Sequence, residues 1–141
     1  MKTIKTSQFE LMEDHPQRPK SQLSHEERRD AGHNLLEASK IGDKDAAQMA
    51  LDAGANNPDM AMAYAAVNGH AEIVQMMLDN RASDYNTAML SAAENGHAEI
   101  VQMIINEAKK NNRYINYDSA ISNADRNGHE DIVKMIQQQM A

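Results

Sequence analysis

The tripeptide Asn-Gly-His occurs at 68–70, 95–97 and 127–129, and an acid and the pair Ile-Val follow each copy. Aligned on glycine, the segments read AMAYAAVNGHAEIVQMMLD, AMLSAAENGHAEIVQMIIN and AISNADRNGHEDIVKMIQQ, with a fainter unit, NLLEASKIGDKDAAQMALD, ahead of them. Gly42, Gly69, Gly96 and Gly128 are therefore 27, 27 and 32 residues apart. A period in this range, kept over four units, specifies a stack of supersecondary modules rather than one large core. The aromatic content, with one Phe and no Trp, agrees, because it is too low for a large conventional core.

Within each unit apolar residues recur at helical spacing, and the glycine separates two short helices. Helix A is expected over 60–68, 87–95 and 119–127, and helix B over 71–79, 98–108 and 130–138. Asp59, Asn86 and Asp118 precede the A helices as N-cap candidates, with Thr87 and Ser119 as second choices. Glycine after helix A suits a left-handed exit from the helix. Glu72, Glu99 and Glu130 fall in the first turn of helix B, where an acid meets exposed amides favourably. On helix B, Ile73, Val74, Met77 and Leu78 form a stripe, repeated as Ile100, Val101, Ile104 and Ile105 and again as Ile132, Val133 and Ile136. With Ala65-Ala66 and Ala92-Ala93 of helix A, these are the expected inter-repeat core. Met62, Met76, Met77, Met89, Met103 and Met135 read as filling for it.

The expected fold is thus an all-α solenoid of four helix-turn-helix repeats, at about 33–59, 60–86, 87–118 and 119–141. They form one domain over 24–141 behind a flexible segment over 1–23, which is polar and carries Pro16 and Pro19. Ser24 and Glu27 form a capping box that opens a helix toward Leu35 and Leu36, across Gly32. Within the N-terminal segment, Gln8-Phe9-Glu10-Leu11-Met12 is either a short partner-binding motif or a flap over the first unit. The last unit carries Asp125 and Arg126 where the second has Ala66 and Val67, as a polar capping repeat should. The first has Ala46, Ala47 and Ala50 in place of large apolar residues, so it should fray first.

A formal charge of −7 disfavours nucleic acid and anionic membranes as partners. No cysteine is present, so disulfides and thiolate metal sites are excluded, and no apolar run approaches the roughly 20 residues that span a bilayer. A cytoplasmic, monomeric protein is expected.

Units reading A-x-x-x-A-A-x-x-G-H-x-E-I-V-x-x-x-L resemble ankyrin repeats, closely over 60–79 and 87–106 and more loosely over 34–55 and 119–140. The resemblance implies a slightly curved solenoid of antiparallel helix pairs whose concave surface binds other proteins. The chain departs from the family's Thr-Pro-Leu-His, having Thr87-Ala88-Met89-Leu90, and its period is shorter than the family's roughly 33 residues. Compact loops are therefore expected. Gly54-Ala55 keeps the family's end of helix B, whereas Arg81-Ala82 replaces the glycine, leaving Asn80 as the expected left-handed residue. Such shortened units are similar to those in repeat proteins of large viruses and intracellular bacteria, which would put the protein in a host cell.

No nucleophile motif or glycine-rich phosphate loop is present, so no catalytic residue and no cofactor are assigned. His70, His97 and His129 form a ladder; the resemblance implies that they orient turns through hydrogen bonds, as the equivalent histidine of the family does, and no carboxylate or thiol recurs with them at ligand spacing, so no metal is assigned. Candidate partner-binding positions are those that vary while the scaffold repeats. Just before each turn stand Lys40, Val67, Glu94 and Arg126, with Tyr64 one turn earlier and Arg81 and Tyr85 at the loops. The five-residue excess before the fourth unit adds a basic stretch with Arg113 and Tyr114. It is either a recognition loop or a solvated extension of helix B with Tyr114 tucked against its neighbour. The function expected is a non-enzymatic protein-interaction module, an adaptor or occluding inhibitor; the alternative is an acidic nucleic-acid mimic that blocks a basic cleft.

Overall fold

A computed structural model describes residue 19 and residues 22–140. The Phe9 motif and most of the N-terminal segment lie outside them. Among the described residues eight helices follow one another: α1 (His25–Ile41), α2 (Lys44–Asp52), α3 (Pro58–Asn68), α4 (Ala71–Asp79), α5 (Tyr85–Glu94), α6 (Ala98–Lys110), α7 (Tyr117–Arg126) and α8 (Glu130–Met140). No strand occurs among the described residues. Each repeat is an antiparallel pair. The A helices α1, α3, α5 and α7 stack side by side, while the B helices α2, α4, α6 and α8 touch one another only sparsely. The A-helix side is therefore the tighter, concave side.

Helix B of the second repeat spans the expected residues, because its limits are set by the glycine turn. Ile73, Val74, Met77 and Leu78, like Ile100, Val101, Ile104 and Ile105, are buried, and so are Ile132 and Ile136; Val133 is only half-buried. Ala61, Ala65, Ala88, Ala92, Ala120 and Ala124 are wholly buried between A helices. Their small side chains permit that close approach. Met62, Met77 and Met89 fill the core as expected, but Met76, Met103 and Met135 pack against it from its rim.

Each full-length A helix begins two residues before the expected start, and its cap differs accordingly. Asp84 and Asn116 cap α5 and α7 by accepting from Thr87 N and Ser119 N, and Asn57 precedes α3. Asp59 and Asn86, expected as caps, lie inside the first turn and bind the next loop instead. Asp59 Oδ1 accepts from Ser83 N (2.7 Å) and Asp84 N (3.1 Å), and Asn86 Oδ1 accepts from Asn116 N (2.7 Å). Their acceptors satisfy loop amides of the following repeat, which would otherwise depend on water.

Two series of left-handed residues end the helices. After the A helices come Gly42, Gly69, Gly96 and Gly128. The following amide closes the turn on the carbonyl five residues back, as in His70 N to Ala65 O (2.9 Å). After the B helices come Gly54, Arg81 (φ 72°) and Asn112 (φ 55°). Arg81, not Asn80, takes the strained conformation, because the geometry is fixed by register with Gly54. Asn80 sits one place earlier, at φ −99°.

The capping box forms in full, with Glu27 N donating to Ser24 Oγ and Ser24 N to Glu27 Oε1. α1 runs unbroken through Gly32 for 17 residues, against 11 in α3 and 10 in α5. The excess before the fourth repeat goes mainly into helix: α6 has 13 residues where α4 has 9.

Candidate interaction face

The three histidines join consecutive repeats. Nε2 of His70, His97 and His129 lies 3.1 Å from the carbonyl oxygens of Lys40, Val67 and Glu94, respectively. Each ring also covers the glycine of the preceding turn. A Cβ on Gly69 would stand 2.7 Å from His97 Cε1, and one on Gly96 2.8 Å from His129 Cε1. Glycine is required there for the close approach as well as for its positive φ. In the first unit Asp43 occupies the histidine's place and caps α2 through Ala46 N. Among the described residues no three His, Asp or Glu side chains converge to hold a metal.

These bonds pin the backbone at three of the positions singled out for recognition, Lys40, Val67 and Glu94. Lys40, Val67, Glu94 and Arg126 are all exposed, in one row at the C-terminal ends of the A helices. Lys40 pairs with Glu37 at 3.3 Å and lies 4.9 Å from the centroid of the Tyr64 ring, so it leans across onto the next repeat. Tyr64 is half-buried beneath it. Val67, 39% exposed, makes the middle of the row apolar, and Met60, two turns earlier on the same helix, is 52% exposed. Met60 was missed as a surface residue; its register with Thr87 and Ser119, both polar, was the available signal.

The loop candidates divide. Tyr85, expected at the surface, is buried at the start of α5. Its hydroxyl accepts from Asn111 Nδ2 (3.1 Å), and the Arg113 guanidinium stands 5.7 Å from its ring centroid. It supports the loop from beneath rather than facing a partner. In that loop Ile115 is buried and Tyr114 is 76% exposed, so Ile115, not Tyr114, tucks against the neighbouring repeat. Asn86 Nδ2 holds the Tyr114 carbonyl at 3.4 Å. Arg81 is exposed but committed to its turn.

The candidates therefore form two groups rather than one patch. Arg81, Arg113 and Tyr114 lie by the N-terminal ends of the A helices, and the row from Lys40 to Arg126 at the other, about 15 Å away along a ten-residue helix. Tyr64 and Met60 lie between them on α3. Among the described residues no helix is long and apolar enough to cross a membrane.

No curated protein matches the chain significantly. The family described as ankyrin repeats matches residues 35–114 in three copies, which is more than half of the sequence. Members of that family are generally protein-binding modules without enzymatic activity. The matched residues run from α1 to the loop after α6, through two of the three histidine joints, and on that span and this architecture the chain belongs to the ankyrin-repeat family.

Proposed function

We propose that this chain is a non-enzymatic adaptor or occluding inhibitor that grips a protein partner with its concave row of A helices and the loop at 111–116. One contrast carries the reading. The stacking positions of the A helices are alanine in repeat after repeat, as at Ala38, Ala65, Ala92 and Ala124, whereas the outward ones change freely from Lys40 to Val67, Glu94 and Arg126. Side chains released from stacking and held on a pinned backbone make a preformed surface, on which binding loses little ordering entropy. Its apolar centre at Met60 and Val67, flanked by charge, has the make-up of an interface core and rim. Arg113 and Tyr114 are of the types that dominate interface energies.

The acidic-decoy reading draws no support from the acids that begin the helices. Asp43 and Asp84 cap helices and Asp59 binds the next loop, which leaves no clustered carboxylate face built from them. We take the chain to act as a monomer in the cytoplasm, and its charge of −7 disfavours nucleic acid and anionic membranes as partners.

The test is affinity capture from the native host with the wild-type chain and with a variant carrying Tyr64→Ala, Val67→Glu, Arg126→Glu and Tyr114→Ser. Partner capture should be lost while far-UV circular dichroism and the melting temperature are kept. A partner held equally well by both proteins refutes the reading.

A further inference from the structure

Between Asp59 and Asn68, α3 carries no polar group on its side chains except the Tyr64 hydroxyl. A helix that is apolar all round belongs in an interior. Ala61, Met62, Ala65 and Ala66 meet that expectation, being wholly buried in the stack. Met60, Ala63, Tyr64 and Val67 form the opposite stripe and are left exposed or half-buried. On α1 and α5 the same four places hold one large apolar residue each, Leu36 and Leu90, amid polar ones, and on α7 they hold none. The apolar outer face is thus confined to a single helix, in the middle of the concave side.

Residues at i, i+3, i+4 and i+7 outline the hole that receives one side chain of a second helix in knobs-into-holes packing. Met60, Ala63, Tyr64 and Val67 have that spacing, and Ala63, the smallest of them, deepens the hole. Leu36 and Leu90 share the register of Ala63 and stand partly buried on either side of it. Packed helix axes lie about 8–10 Å apart, so both leucines are within reach of a side chain seated over Ala63. An extended segment suits the place less. Its main-chain N–H and C=O groups would meet a floor whose one polar group is the Tyr64 hydroxyl, whereas a helix satisfies its own. At the rim, Lys40 is paired with Glu37, and Asp59 is held by Ser83 N and Asp84 N. The Glu94 carboxylate has no partner among the described residues. The charge left over at the rim is therefore negative.

We propose that an amphipathic helix of the protein partner docks on α3. A large aliphatic side chain is its knob over Ala63, further apolar side chains one turn away on each side meet Met60 and Val67, and a Lys or Arg on its flank faces Glu94. Apolar anchors at i, i+3 or i+4 and i+7 are the mark of helix-in-groove recognition. The receiving face is already ordered, since His97 Nε2 holds the Val67 carbonyl at 3.1 Å. The proposal rests on the interaction-module reading and names the kind of partner segment that the face takes.

The experiment is a ¹⁵N NMR titration of the full chain, at low ionic strength, with acetyl-Ala-Lys-Leu-Ala-Lys-Leu-Leu-Ala-Lys-Leu-Lys-Ala-amide, whose leucines have helical spacing. The control is its isomer acetyl-Ala-Lys-Leu-Lys-Leu-Ala-Leu-Lys-Leu-Ala-Lys-Ala-amide, in which they alternate as on a strand. Support is a saturable shift centred on Met60, Ala63, Tyr64 and Val67 with the first peptide, at an affinity at least about fivefold above that of the isomer. Ala63→Leu, which fills the hole, and Met60→Ser, which removes one wall, should each weaken binding about fivefold or more. Glu94→Gln should weaken it by about two- to fivefold. Leucine stands at the Ala63 register in both neighbouring repeats and Ser119 at the Met60 register, so unchanged melting temperatures are expected. No binding by the first peptide, equal binding of the isomer, shifts centred on the B helices, or affinity untouched by Ala63→Leu and Met60→Ser overturns the proposal. So does a free chain that sedimentation shows to pair with a second copy through α3. A chain that ignores the helical peptide, yet loses its native partner in the Tyr64, Val67, Arg126 and Tyr114 variant, sinks the helix alone; capture that does not depend on those residues sinks the module reading.

Discussion

The histidine joints make a stability prediction that separates contact from conformation. Gly69, Gly96 and Gly128 share φ values of 79°, 80° and 79°, so replacing each by alanine imposes the same left-handed strain, about 1–2 kcal/mol. Their surroundings differ. A Cβ would lie 2.7 Å from His97 Cε1 at Gly69 and 2.8 Å from His129 Cε1 at Gly96, but at Gly128 nothing stands within 4 Å. Carbon atoms prefer separations of about 3.5–4.0 Å. The ring must therefore retreat by most of an ångström, and its 3.1 Å hydrogen bond to Val67 O or Glu94 O is lost with it. That loss, about 0.5–1.5 kcal/mol, together with the disturbed contacts, brings the expected cost to about 2–4 kcal/mol at Gly69 and Gly96, against about 1–2 kcal/mol at Gly128. Equilibrium urea unfolding followed by circular dichroism at constant m-value measures all three. A double-mutant cycle isolates the contact: in a His129→Ala background, Gly96→Ala should cost no more than Gly128→Ala. Equal costs for the three in the wild-type chain, or a Gly96 excess that survives removal of the ring, would falsify the argument.

Three further outcomes are expected. Arg81→Gly should stabilise the protein by about 0.5–1 kcal/mol, because it relieves positive φ at a place where the first repeat uses Gly54; a lower urea midpoint contradicts this. Ile115→Ala should cost about 2–4 kcal/mol, while Tyr114→Ser at the adjacent exposed position should stay within about 0.5 kcal/mol, and thermal melts of the two variants decide whether Ile115 anchors the loop. In native-state hydrogen exchange, amides of α2, whose buried side chains are Ala47, Ala50 and Leu51, should open at lower free energy than those of α6; protection equal to that of α6 contradicts the expected fraying of the first repeat.

What could be read from the residues followed the reach of each signal. Helix B of the second repeat and the buried Ile-Val stripe were legible because a glycine turn and helical periodicity act within a few residues. Exposure of Lys40, Val67, Glu94 and Arg126 was legible too, since positions that vary in register are those released from stacking. The misplaced starts of helix A have a non-local cause: Asp59 and Asn86 look like caps, yet their acceptors serve loops about 25 to 30 residues further on. Tyr85 was read as a loop residue because nothing near it in sequence foretells the cover that Asn111 and Arg113 provide. At Arg81 the register with Gly54 pointed to the left-handed residue, while residue preference pointed to Asn80, and register won.

The histidine fastening between repeats has a direction. Each unit reaches backward with its imidazole and asks of its predecessor only a main-chain oxygen and a residue without a side chain. Neither requirement depends on which outward residue the predecessor carries. A copied unit inserted into the array would bring its own clasp and find a ready-made catch, so the number of modules and the pattern displayed on the grip can diverge independently during evolution.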